Sequence, residues 1–375
     1  MFDFDTIINR YKTDALKWSK GDIIPLTTAD MDFLMPDCIV DAIQERLRHK
    51  IVGYTLAQNE KYMNSIINWN ERRYGWRINS KDIMVSHGVV DGVFECVEML
   101  CKADEQVIFQ TPAYMPYFAI PRKQMFNPMI ITESGYEIDF AHLELLCSNP
   151  KNRVLVLCSP HNPTGRVFTE FELLKVADIC AKHDVAIISD EIHSDWTRKG
   201  ITYTPILKLL PDADIITCIS ASKTFNLAGL ELSNIIINDN MKERMNIKNE
   251  FHQCANPLSM AAAEGAFTVE GEKWLAEVID YVDENLKVAI NLFNERLPKS
   301  RCFMPQGTYM MWVDLRSYSM DSKNIAEKCE KNEKVTFMPG ERFGTQGFAR
   351  ITAACPRELL LKGINGIINA VTQDI

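Results

Sequence analysis

Lys223, Asp190, Asn162 and Arg350 are the residues whose type and setting invite chemistry. Lys223 lies in SASKTFNLAG (Ser220 to Gly229), directly after the apolar run Ile215 to Ile219. A lysine at the end of a buried strand is a poor core residue. It is a good reactive one, because an amine with a lowered pKa forms a Schiff base with a carbonyl. Ser220 and Ser222 flank it with hydroxyls suited to a phosphate. Asp190 ends another apolar run, Val185 to Asp190, where a carboxylate is costly unless a cation pairs with it. His193 follows shortly after. Asn162 is set in SPHNPTGRVF, where Pro160, Pro163 and Gly165 make a rigid, irregular loop. Arg350 stands in a strand between Ala349 and Ile351 and calls for an anionic partner, either a structural carboxylate or that of a substrate.

These residues need elements to position them. Ile83 to Leu100 (IMVSHGVVDGVFECVEML) reads as strand, turn and helix, with Gly88, Val89 and Val90 at the hinge. The N–H groups and dipole of such a helix start are suited to a phosphate, although any βα unit has such a turn. The strand QVIFQ (Gln106 to Gln110) runs into TPAYMPYF, where two prolines bracket Tyr114 at a strand's C-terminal end, the place where ligands collect in open α/β sheets. VLVLC (Val154 to Cys158) is apolar throughout, as in a strand covered on both faces. The helix after it opens with Thr169 and Glu172 as a capping box. Adding IITCI and SNIIIN (Ser233 to Asn238), the span 83–238 alternates β and α and predicts a three-layer α/β domain with a mainly parallel sheet.

Around this domain lie other segments. Residues 1–45 form an extended lead-in that includes IPLTTADMDFLMP, followed from Pro36 or Asp37 by a helix with Ile39, Val40, Ile43 and Leu47 on one face. Tyr54 sits in a glycine-containing turn before a helix from about Glu60. Helical runs fill about 241–298, the last expected from Lys273 to Leu297. Strands at 308–315, 335–338 and 347–352, with helices between them, predict a smaller α+β domain. The expected division is a segment 1–45 packed with the small domain and the cleft, a large domain 46–272 and a small domain 273–375.

Composition narrows the class of function. The 375 residues are 46% hydrophobic and carry a net charge of -9 without a basic run, which argues against a nucleic-acid partner. The 11 cysteines are scattered, with no CxxC pair, and read as reduced thiols rather than a disulfide framework or metal site. MFDFDTIINRYK lacks the basic start and apolar core of a signal peptide, and no run is long enough to span a membrane, so a cytoplasmic location is expected.

The ordered set Asn162, Asp190, Lys223 and Arg350 resembles that of the type I pyridoxal-phosphate (PLP) enzymes of the aspartate-aminotransferase superfamily. The motifs ADMDF (Ala29 to Phe33), GYT (Gly53 to Thr55), GVV (Gly88 to Val90), TPAY, DEIHSDW, SKTFNLAGL and ARITAACPR (Ala349 to Arg357) resemble more narrowly the cystalysin-like cystathionine β-lyases. The resemblance runs from about residue 20 to 370 and implies the PLP-transferase type I fold, with the small domain built from both termini. It implies that Lys223 carries the cofactor and then acts as base, and that Asp190 pairs with the ring nitrogen. Asn162 and His193 would lie near the ring's 3-oxygen, with Tyr114 on the ring face, where it would assist the leaving group. The amides of Gly88, Val89 and Val90 and the hydroxyls of Ser220 and Ser222 would hold the phosphate, joined by Tyr54 from a neighbouring subunit, so a homodimer with a shared active site is implied. Arg350, with Asn162 and Ala29, would hold an amino-acid thioether by its α-carboxylate.

Three positions depart from the pattern. Glu231 stands where many aminotransferases have an arginine on the phosphate, so its side chain is expected to point away, and the choice tilts toward C–S cleavage. His87 and Asp91 replace residues that are often proline in relatives. The expected activity is α,β-elimination from cystathionine or other cysteine S-conjugates, giving a thiol, pyruvate and ammonia. The alternatives are an aminotransferase, or a regulatory protein-binding role beside the enzyme activity.

Overall fold

A computed structural model describes residues 2–247 and 253–373. Its centre is a seven-stranded sheet. The strands are β1 (Ile83–Ser86), β2 (Gln106–Thr111), β3 (Lys123–Pro128), β4 (Asn152–Cys158), β5 (Ala186–Asp190), β6 (Ile215–Ile219) and β7 (Ser233–Ile237), in the spatial order β1-β7-β6-β5-β4-β2-β3. Pairing is parallel from β6 through to β3. Only β7 runs antiparallel, to both β6 and β1. The mainly parallel sheet is therefore as expected, with one reversed strand.

Alternation along each strand covers both faces. In β4, Val154, Val156 and Cys158 join the core cluster beneath helix α3 (Val89–Leu100), while Leu155 and Leu157 join the larger core on the other face. Strands buried on both sides carry no polar face, which is why their runs are continuously apolar. β3 was not foreseen, because KQMFNP is half-exposed and ends in proline.

Helix α1 (Asp37–Leu47) starts as expected and buries Ile39, but Leu47 at its end is exposed. Helix α2 is Glu60–Tyr74, and α4 (Glu170–Lys182) opens on the Thr169–Glu172 capping box. Of the helical run at 241–298, residues 248–252 lie outside the described residues; α5 (Pro257–Ala266) and the 28-residue α6 (Val269–Arg296) make up its latter part. α6 starts before Lys273 because the Thr268 hydroxyl accepts from Gly271 N at 3.1 Å and caps it.

The C-terminal sheet has the order β8 (Arg301–Cys302), β9 (Met310–Asp314), β11 (Phe348–Thr352), β10 (Met338–Pro339), all antiparallel. The expected strand 335–338 is split. Val335–Thr336 pairs in parallel with Ile24–Pro25 instead, tying the N-terminal segment to this part of the chain. Helix α7 (Arg357–Thr372) closes the fold. Among the described residues no helix is long and apolar enough to cross a membrane.

Candidate active site

The C-terminal ends of β5 and β6 and the N-terminus of α3 converge on one cavity of about 260 Å³. Lys223 occupies a single helical turn, Ala221–Thr224, directly after β6. Four hydrogen bonds fix that turn. Ser220 caps it, its hydroxyl accepting from Ser222 N at 3.0 Å and donating to Leu232 O at 2.7 Å. Trp196 Nε1 donates to Lys223 O at 2.9 Å, and Thr224 Oγ1 donates to Asp195 Oδ2 at 2.8 Å. Asp195 also accepts from Trp69 Nε1 at 3.1 Å and pairs with Arg73 of α2, which anchors the lysine turn to that helix. Lys223 Nζ reaches into the cavity and donates to Ala29 O at 3.0 Å. Burial, reinforced by the charge of Arg350, lowers its pKa and favours the neutral, nucleophilic amine.

Asp190 lines the same cavity from the tip of β5. Burial raises its pKa, and the hydroxyl of Tyr117, which donates to Oδ2, opposes that rise. Ile192 N donates to Oδ1 at 3.1 Å. His193 is buried nearby, its Nδ1 without a hydrogen-bond partner. Burial first, then the charges of Lys223 and Arg350, push its pKa down to about 3, so the imidazole is neutral. Tyr114 lies across the cavity, edge-on to Tyr117 at 5.9 Å between centroids.

The carboxylate end is built from three distant segments. Arg350 of β11 is buried, donating to Asn162 Oδ1 at 3.1 Å and to Thr27 O at 2.8 Å, with its guanidinium 4.8 Å above the Phe343 ring. Its Nε has no hydrogen-bond partner, and no carboxylate pairs with it among the described residues. Burial lowers its pKa to about 10, still well above neutral, so the cation persists. Arg350 meets the cavity through Asn162, which lines it.

At the other end, His87, Gly88, Val89, Val90 and Asp91 line the cavity at the start of α3, together with Ser222. No side chain caps this helix, so its first N–H groups are available to a ligand. One expectation is corrected here. The Ser220 hydroxyl is engaged as a cap and does not line the cavity. Glu231, left-handed at φ 49° after the Ala228–Leu230 turn, is exposed and stands among the lining residues. Tyr54 is fully exposed and absent from the lining of its own chain's cavity.

ADMDF acquires a structural reason. Asn226, itself left-handed at φ 59°, accepts from Met31 N and donates to Met31 O, both at 2.9 Å. Arg10 binds Asp30 and Asp32, each at 2.8 Å, and Lys17 Nζ is 2.6 Å from Asp32 Oδ2. These bonds hold the N-terminal segment across the lysine turn, with Ala29 O facing Lys223. Tyr117, Asp195 and Asn226 were not singled out from sequence. Each lies inside a quoted motif, and a polar residue beside a chemistry-bearing one was the available signal.

The comparisons agree with this geometry. Residues 21–367 match the model of the aminotransferase class I and II family. The chain belongs to that family. It is 34% identical to cystathionine β-lyase PatB of Bacillus subtilis, over 99% of this chain and 100% of that protein. It is 31% identical to protein MalY of Escherichia coli, over 99% of each. The structure matches the PLP-bound C–S lyase of Staphylococcus hominis with a TM-score of 0.94 and 35% identity, and cystalysin of Treponema denticola, which contains pyridoxal 5'-phosphate, with 0.93 and 31%; both alignments cover 100% of each chain.

The residues present fit such a group. A part-buried amine of lowered pKa would suit its aldehyde, a buried carboxylate its ring nitrogen, and uncapped helix N–H groups its phosphate. His193 Nδ1 is an orphaned polar atom beside them.

Proposed function

We propose that this chain is a PLP-dependent C–S lyase that cleaves cystathionine or other cysteine S-conjugates to a thiol, pyruvate and ammonia. The observation that carries the reading is the meeting of Lys223, Asp190 and the Asn162–Arg350 pair at one cavity, in a chain alike over its full length to cystathionine β-lyases. The bound cofactor supplies an electron sink for the charge left at the substrate's Cα.

The chain's own residues do the rest. Lys223 Nζ would hold the cofactor at its aldehyde and, when free, would serve as the base for the substrate's Cα proton. Its lowered pKa favours the neutral form that a base needs. Asp190 would pair with the ring nitrogen. Asn162 and neutral His193 would hold the ring's 3-oxygen. The guanidinium of Arg350, free of any protein carboxylate, binds the substrate α-carboxylate, and its fixed geometry orients the Cα–H bond toward Lys223. Tyr114 would lie on the ring face and assist the departing thiolate; burial raises its pKa, which favours the protonated, donating phenol. Gly88, Val89, Val90 and Ser222 hold the phosphate, and Ala29 O orients Lys223.

The same reading makes the enzyme a cytoplasmic homodimer in which Tyr54 completes the neighbouring phosphate site. Full exposure of Tyr54, with Leu34, Ile51, Val52 and Leu56 also exposed, supports a covered face there. The eleven free cysteines suit a reducing compartment. The division into 46–272, 273–375 and a lead-in 1–45 is part of the proposal, supported by the separate C-terminal sheet and the Ile24–Val335 pairing.

A panel of thioether amino acids tests the function. Pyruvate released by wild type and not by Lys223→Ala, which also loses the yellow colour of the bound cofactor, is the expected result. A yellow, active Lys223→Ala would overturn it.

A further inference from the structure

Asp190 is held from a side that its cavity-facing role does not require. Tyr117 is fully buried in the short helix Met115–Ala119, its ring packed between Phe109 at 6.0 Å and Tyr114 at 5.9 Å. A phenylalanine would fill that space equally well. The hydroxyl is what the packing does not explain, and it donates to Asp190 Oδ2. With Ile192 N on Oδ1, both carboxylate oxygens are engaged by donors from the protein. Each oxygen retains a further lone pair for a ligand.

We propose that Tyr117 is a positioning residue for the cofactor ring, its hydroxyl holding the Asp190 carboxylate ionised and aimed at the ring nitrogen. The inference rests on the PLP reading above and deepens it. Burial alone favours a neutral carboxylic acid, which would pair poorly with a protonated ring nitrogen. A hydrogen bond to the charged form works against that tendency, and inside a dry site it is worth more than on the surface.

The other groups facing Asp190 come from every neighbouring element. They are Lys223 after β6, Tyr114 beside Tyr117, Cys158 at the end of β4, Cys218 within β6 and Glu191 next in the chain. Lys223 alone among them is cationic, and once the cofactor is attached its charge is no longer that of a free amine. Tyr117 then remains as the permanent side-chain donor.

A double-mutant cycle on the full-length protein tests this. Wild type, Tyr117→Phe, Asp190→Asn and the double variant are stripped of cofactor, checked for fold by circular dichroism, and titrated with PLP. Tyr117→Phe is expected to weaken affinity about tenfold or more, the usual worth of a hydrogen bond to a buried charge. It is also expected to raise the pH at which affinity falls on acidification, because Asp190 then takes its proton sooner. In the Asp190→Asn background the same change is expected to cost less than about twofold, since there is no carboxylate left to support. Equal losses in both backgrounds, or no loss in either, would overturn the inference. Neither readout needs turnover. If wild type binds PLP and the cycle is additive, this inference alone fails; if wild type binds none, the function proposed above fails with it.

Discussion

Under the proposed function the cavity would have two anion-binding ends, built on opposite principles. The carboxylate end has a buried arginine without a carboxylate partner, held by Asn162, Thr27 and the Phe343 ring. The phosphate end has backbone N–H groups at the start of α3, the Ser222 hydroxyl, and an acidic residue, Glu231, among the lining. A full charge is suited to an α-carboxylate that comes and goes, since it steers and orients each arrival. Fixed amides are suited to a phosphate that stays, and they need no counter-charge on a flexible side chain. On this reading, affinity for the substrate would rest on one side chain, while affinity for the cofactor would be spread over many small contributions.

That contrast can be broken at several points. The largest effect is expected from Arg350→Ala, which should lower kcat/KM by on the order of 10³ while the yellow cofactor is retained. Steady-state kinetics beside a visible spectrum would show both, and simultaneous loss of cofactor would mean that the two ends are not separable. Next comes Glu231→Arg. Replacing a like charge by a cation should tighten PLP binding about tenfold, measured by titrating the stripped protein. An unchanged affinity would place the Glu231 side chain too far from the phosphate to matter.

Smaller effects separate the two serines. Ser222→Ala should weaken cofactor binding about fivefold, the worth of one hydrogen bond. Ser220→Ala should leave that affinity alone and cost about 1 kcal/mol of stability, because its hydroxyl caps the lysine turn. The reverse pattern would put the wrong serine on the phosphate. The smallest expected change is in a titration. Burial, then Arg350, lowers the Lys223 pKa, so the stripped protein should take up the aldehyde at a lower pH than an ordinary lysine would. Arg350→Met removes the second cause and should move that midpoint upward. A midpoint that stays put would mean that the two ends do not sense each other.

The cofactor end was largely legible in the sequence, and the carboxylate end only through the resemblance. Lys223, Asp190 and Gly88–Val90 each follow an apolar strand, so local pattern alone brings them to one edge of the sheet. Arg350 reads only as a cation needing a partner, because Thr27 and Asn162 reach it from far along the chain. Ser220 was misplaced for a related reason: a hydroxyl next to a reactive lysine looks like a ligand group, and sequence does not reveal that Leu232 O and Ser222 N already occupy it. The left-handed backbone at Glu231 has no signal in the sequence, since the residue is not a glycine. β3 escaped notice because it is a half-exposed strand at the sheet edge, without an apolar run.

The central claim is elimination at this lysine, and the fate of the amino group tests it most directly. Cystathionine is incubated with the cofactor-loaded enzyme, with and without a 2-oxo acid, and pyruvate, ammonia and thiol are counted. Equal amounts of all three, unchanged by the oxo acid, are the predicted result. Turnover that requires the oxo acid and converts it to an amino acid, with no ammonia and no thiol, would contradict it.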